Sequence, residues 1–312
     1  MLLLRLVMNP GRNPIPAPYP ASLILFLHLR AVARKKSLLP MSTSTSTLLP
    51  GDRLFQFAKR LLGTIVWTSA LIFGLYILIF YALAYVSGDT AQWNKVLPGL
   101  YDADNAGSTA GIAIHFLAGG IILVLGCLQL LPFVRERYPM VHRWSGRVYV
   151  IACLLSAIGG LIFIALKGTI GGLVMDIGFT GYGLLMFLAA VQTARYARKK
   201  DFKRHSAWAL RLFALAIGSW LYRMDYGFYI GFGGEAGHTK DFTGWFDYFM
   251  DFWFYLPNLV VVEIILAEYS VFKRPGVKIA GAISLLLASA FLLFASYFFI
   301  KDYWGPGILS GF

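Results

Sequence analysis

Three histidines of this chain, His115, His142 and His205, each stand in a stripe of small residues, and imidazoles so placed can ligate a heme iron or carry a proton. In GSTAGIAIHFLAGGIILVLGCLQL, residues four apart share a helix face, which lines up Gly111, His115 and Gly119 and continues roughly to Gly126 and Gln129. In VHRWSGRVYV the pattern repeats, with Gly146 one turn after His142 and Gly160 farther along the same face. His205, in RHSAWALRLFALAIGSWLYR, has Ala209, Ala216, Ser219 and Arg223 along its side. Small residues serve either close helix packing or a flat cofactor beside an imidazole, and both uses stand open. His142 and His205 open helices that start on one side of the membrane, so their depths match, as the two axial ligands of a b-type heme require. Arg143, Arg147 and Arg204 beside them would neutralise heme propionates through guanidinium forks. The competing account of the pair is two headgroup-level histidines among arginines. His115 has no histidine partner at its own depth, and Met175 is the candidate second ligand there; His238, in an outer loop, reads as solvated.

Other charges fall inside apolar runs, where neither sign should face lipid alone. Arg211 and Glu263 approach one depth and are expected to pair, either as structure or as part of a proton path. Arg223 and Asp225 are expected to pair too, or to snorkel to the interface. No Walker loop, dinucleotide fingerprint, HExxH or CxxC motif occurs, and three histidines on separate helices at two depths do not suit one zinc ion.

The elements that must position these residues are membrane helices. Of 312 residues 58% are hydrophobic and only 14% charged, against about a quarter charged in soluble domains. Apolar segments near 62–86, 111–131, 148–166, 172–194, 207–224, 252–270 and 277–300 predict an all-α polytopic bundle of about seven spans. Arg53, Lys59 and Arg60 precede the first; Arg135, Arg137, Arg143 and Arg147 follow the second. Arg195, Arg198 and Lys199 follow the fourth, and Lys273, Arg274 and Lys278 the sixth. The intervening loops carry Asp89, Asp102, Asp104, Glu235, Asp241, Asp247 and Asp251, so the N-terminus is expected inside and the C-terminus outside. The net charge of +13 is thus split among loops and does not form the basic face of a nucleic-acid binder. Cys127 and Cys153 lie in apolar runs and act as small hydrophobes.

Residues 1–60 read as a cytoplasmic extension and 61–305 as the transmembrane domain. The first 51 residues hold no acid, a Pro-rich stretch and a Ser/Thr run, which fits a chain that truly starts at Met41, a targeting peptide or a disordered tail. The run YGFYIGFGGEAGHTKDFTGWFDYFMDFWFY breaks at its glycines and then lies as an aromatic belt or as a lid over a lipophilic substrate.

The order of His115, then LGCLQLLPFVRERYPMVHRWSGRVYV, RKKDFKRHSAWALRLFALAIGSWLYR and PNLVVVEIILAEY resembles the predicted multi-pass membrane proteins of domain of unknown function 2306, over about residues 110–270. The HRWSGRVY and HSAWALR stretches are the most specific, and His115, His142, Arg147, His205, Arg211, Arg223 and Glu263 fall on that family's recurring positions. More distantly the chain is similar to diheme transmembrane b-type cytochromes, whose heme ligands come from helices two apart. That maps onto His142 with His205; those proteins use two depth-matched histidine pairs and this sequence lacks the fourth histidine, so at most one heme is implied. Three functions follow as expectations. The first is a membrane redox protein with heme b at its inner side, served by a small-molecule electron donor or a quinone. The second is a proton or small-solute transporter lined by Glu263, Arg211 and His115, and the third a non-catalytic scaffold. The bilayer is the expected partner and nucleic acid is not. A bacterial inner membrane is the expected location, or an organellar one if residues 1–40 are a targeting peptide.

Overall fold

The computed structural model describes residues 50–96, 98–267 and 275–309, and the expected extension up to residue 49 lies outside them. All regular structure among the described residues is helical. The first helix, α1 (Pro50–Tyr76), opens with Pro50 and with Asp52 in its first turn, about ten residues ahead of the expected domain boundary. It continues through a π-helical stretch, Ile77–Leu83, and a last turn, Ala84–Ser87. After a 3-10 turn, Thr90–Lys95, comes α2 (Ala106–Leu130), whose Asn105 cap accepts the Ser108 amide at 3.0 Å. Next, α3 (Pro139–Lys167) starts on a proline and stops at Gly168, whose φ of +80° suits a residue without Cβ. The fourth helix, α4 (Gly172–Arg198), ends at a basic turn in which the Asp201 side chain caps α5 (Phe202–Ala216). Then follow α6 (Gly218–Gly233), α7 (Trp245–Trp253), α8 (Leu256–Ala267) and α9 (Pro275–Phe299).

Five helices among the described residues are long and apolar enough to cross a membrane: 51–87, 106–130, 139–167, 172–198 and 276–309. The two other expected segments differ in form. The segment at 207–224 falls on two shorter helices, α5 and α6, and the segment at 252–270 is described up to residue 267, mostly as α8, with α7 just ahead of it.

Helices α2 and α3 run antiparallel and cross where glycines remove the side chains between them. A Cβ on Gly159 would stand 2.5 Å from the Gly111 carbonyl, and one on Gly111 2.9 Å from the Gly159 carbonyl. Without a hydrophobic drive between helices in lipid, such close approach is what packing is made of, which accounts for Gly111, whereas Gly119 on the same stripe meets no neighbour and lines a cavity. Gly74 and Gly120 make the same close approach between α1 and α2. Helix α9 lies parallel to α1, tied by Lys278 to Asp52 at one end, by a 2.7 Å Ser69–Ser296 hydroxyl bond midway, and by Trp304 on Phe73 beyond it. The loops of the bundle therefore sort into a basic end, which holds the α2–α3 and α4–α5 turns, and an acidic end with Asp102 and the α6–α7 loop.

Candidate functional site

Helices α5 and α6 occupy one expected span, and their junction is opened by a side chain from elsewhere. The Tyr182 hydroxyl of α4 donates to the Leu215 carbonyl at 2.8 Å, with the Ser219 backbone close by. In a regular helix that carbonyl would accept the Ser219 amide, so the phenol takes the place of the helix's own donor. The Arg223 guanidinium donates to the Ser219 carbonyl at 2.8 Å, and Gly218 lets the Phe254 ring pack against the opening.

A cavity of about 30 Å³ lies against this opening, lined by His115, Ser156, Tyr182, Met186, Ser219 and Arg223 among others. His115 projects from α2, and its Nδ1 meets the Ser156 carbonyl at 2.9 Å across the glycine crossing. A carbonyl only accepts, so Nδ1 carries the proton in that bond and Nε2 is left for the cavity side. The methionine that shares the cavity is Met186; Met175 packs at the acidic end, beside Gly171. Arg223 lies over the Phe73 ring at 4.8 Å, and the phenols of Tyr76 and Tyr81 are within its electrostatic reach. Those two tyrosines flank the start of the π-helical stretch of α1, and the Trp93 indole satisfies the Tyr81 carbonyl there at 3.1 Å. No ion pair joins Arg223 to Asp225 among the described residues, so the pairing alternative of the sequence reading is not the one seen. Residues two apart on a helix do not face each other.

Toward the acidic end, polar groups continue from the cavity. The Tyr222 hydroxyl bonds that of Tyr226 at 3.3 Å, and Tyr226 donates to Asp247 Oδ1 at 2.7 Å. His238 Nδ1 stands 2.7 Å from the same oxygen, while the amides of Thr239 and Gly244 donate to Oδ2 at 3.0 and 2.9 Å. Asp247 is fully buried, and so is Asp251 one turn later, whose two carboxylate oxygens have no hydrogen-bond partner. The expectation of a solvated His238 is therefore corrected: its side chain is only 15% exposed and is held by a buried acid. Burial pushes Asp247 up, but the bonds from His238, Tyr226 and the two amides outweigh it and hold the carboxyl below its ordinary range. Asp251 has only burial and the neighbouring Asp247 charge acting on it, and is pushed up to about 7.

Toward the basic end, Tyr149 of α3 lies close to Tyr182 and Cys153, with its hydroxyl buried and unbonded. Two turns earlier on α3 is His142, within electrostatic reach of His205 of α5. His205 Nδ1 donates to the Thr193 carbonyl at 3.0 Å, and His142 Nδ1 is buried without a partner. The expected arginines are engaged elsewhere. Arg147 lies over Trp144 at 4.7 Å, Arg204 beside Asp201 at 3.6 Å and over Tyr196, and Arg143 is exposed. Arg135 is the cation within reach of His142. Gln129 closes the α2–α3 turn, donating to Ser145 Oγ at 2.7 Å above Gly146. Arg211 and Glu263 form a two-pronged ion pair at 2.5 and 2.7 Å, at the rim of the bundle, where the Glu263 side chain is 54% exposed.

Apart from Phe73, Tyr76, Tyr81 and Trp93, these groups lie within one stretch of chain. Residues 112–266 match the family model described as Predicted membrane protein (DUF2306). This core is a DUF2306 region. No curated protein and no solved structure matches the chain. Within the DUF2306 region, His115, His142, His205, His238, Arg211, Arg223, Asp247, Asp251 and Glu263 are the ionisable side chains that carry the site together with its tyrosines. No group of three or more metal-ligating side chains gathers among the described residues.

Proposed function

We propose that this membrane protein is a carrier that passes a proton or a small solute through the core made by α2 to α6. The supporting observation is the opening of the α5–α6 helix by Tyr182 against a polar cavity well inside the span. Irregular backbone at membrane depth persists only where it lines a cavity or is buried in protein, and broken helices in transporters carry the substrate site. The tyrosines and acids that lead from that cavity to His238, and the tyrosines that lead to His142, supply the rest of a path. Arg211 and Glu263, at the rim, are assigned to holding α5 against α8. The test is flux into proteoliposomes loaded with a pH-sensitive dye, under imposed proton and solute gradients. Flux that falls in His115→Gln and Tyr182→Phe, with the fold intact, is the expected result; folded wild-type protein that passes nothing ends this reading.

A second reading keeps heme b between His142 and His205. It is favoured by the Thr193 carbonyl that fixes the His205 ring through Nδ1, as backbone carbonyls do for metal-ligating imidazoles, and by the unpartnered Nδ1 of the nearby His142. If bound, the heme would supply one-electron chemistry at the basic end. Its test is a Soret band that collapses in His142→Ala and in His205→Ala but survives His238→Ala. A colourless, folded preparation from heme-replete cells removes it.

A further inference from the structure

We propose that the cavity between α2, α4 and α6 binds a small monovalent anion of the size of a halide or formate, held by the Arg223 guanidinium. The inference deepens the carrier reading and rests on it for the idea that the anion travels, while binding itself can be measured separately.

Two arginines lie in the apolar stretch 207–224 of α5 and α6, and the protein treats them differently. Arg211 is neutralised by both oxygens of Glu263. Arg223 has a backbone carbonyl, an aromatic face and phenols around it, and among the described residues no carboxylate pairs with it. Asp225 is on another face of α6, Asp247 is taken up by His238 and Tyr226, and Asp251 forms no bond to any cation. An uncompensated guanidinium at this depth is costly, and a bound anion removes that cost. Arg223 lines the cavity, and so do His115 and Ser219.

The surroundings select the anion. Gly218 and Ser219 open α6, so the positive end of that helix dipole lies at the cavity beside the guanidinium. Tyr182 and Ser156 bring hydroxyls to the same wall, and Ile77, Phe116 and Ile122 bring apolar surface. One fixed cation matches one negative charge. A cavity of about 30 Å³ admits one or two water-sized bodies, which excludes sugars, nucleotides and amino acids.

The test is thermal unfolding of the purified full chain in detergent at constant ionic strength, with sodium chloride, bromide, nitrate or formate titrated against sodium gluconate. The expected result is a saturable rise in Tm with the small anions, absent with gluconate. Arg223→Gln should lose it, with apparent affinity down by more than about tenfold. Arg223→Lys keeps the charge without the fork and should retain a weaker shift. Equal Tm in chloride and gluconate means a cavity that holds water only and overturns the proposal, whichever variants fold. Saturable stabilisation without flux in proteoliposomes keeps the anion site and removes the carrier; flux without anion-dependent stabilisation does the reverse.

Discussion

The Tyr182 hydroxyl stands 2.8 Å from the Leu215 carbonyl of another helix, in the place of a helix's own amide. Removing that oxygen lets the Ser219 amide return to Leu215, so the α5–α6 ladder can close. Tyr182→Phe is therefore expected to change stability by less than about 1 kcal/mol, because one hydrogen bond replaces another. Flux should be lost all the same, since the opening against the cavity is gone. Thermal unfolding and proteoliposome flux on one preparation check both halves; unchanged flux would detach the opening from transport.

Gly159 and Gly111 meet backbone to backbone, and a Cβ on Gly159 would also come 2.9 Å from the His115 amide. Backbone cannot swing aside as a side-chain tip can. Gly159→Ala is expected to cost about 1–3 kcal/mol by overpacking. Gly119→Ala, on the same α2 stripe, meets nothing within 4 Å and should be neutral or slightly stabilising. A pair of melting curves separates the two, and equal effects would refute the glycine crossing.

That contrast shows what a sequence displays and what it conceals. Apolar runs announce α1 to α4 and α9 because length and composition alone decide a span. The interruption of α5–α6 is concealed because its cause, Tyr182, is on a different helix. The Arg211–Glu263 pair follows from depth matching, whereas Arg223 with Asp225 does not form, since two positions along a helix point apart. His238 sits among Gly, Thr and Lys and so reads as solvent-facing. The available signal was across the loop: Asp247 and Asp251, one turn apart inside WFDYFMDFW, are acids in an aromatic run that would bury them.

Those two acids give the DUF2306 region opposite responses to pH. Asp247 is held below its ordinary range, so its contribution is full above the unfolded value of about 3.9 and is lost as pH falls through its lower native value. Asp251 is raised to about 7, so its contribution is full below about 3.9 and is lost as pH rises through 7. Wild-type stability should therefore decline between about pH 4 and 7, and Asp251→Asn should flatten that decline. Asp247→Asn sets an amide among donors that need an acceptor and should cost more than about 2 kcal/mol at neutral pH. Denaturant titrations in detergent across this range decide it; a slope untouched by Asp251→Asn would assign the proton elsewhere.

The Arg211–Glu263 pair divides structure from transport most cleanly. Both prongs are short, Arg211 also lies over the Trp208 ring at 4.8 Å, and the pair joins α5 to α8 away from the cavity. Removing one partner leaves a charge at membrane depth unpaired, so Glu263→Gln and Arg211→Gln should each destabilise the protein. Replacing both, as in Arg211→Leu with Glu263→Leu, removes the charges together and should recover most of the loss. A double-mutant cycle on Tm measures the coupling. If the double variant melts like wild type and still carries flux, the pair is a clamp. If it melts like wild type and carries none, Glu263 belongs to the path and the route through the bundle runs along α8.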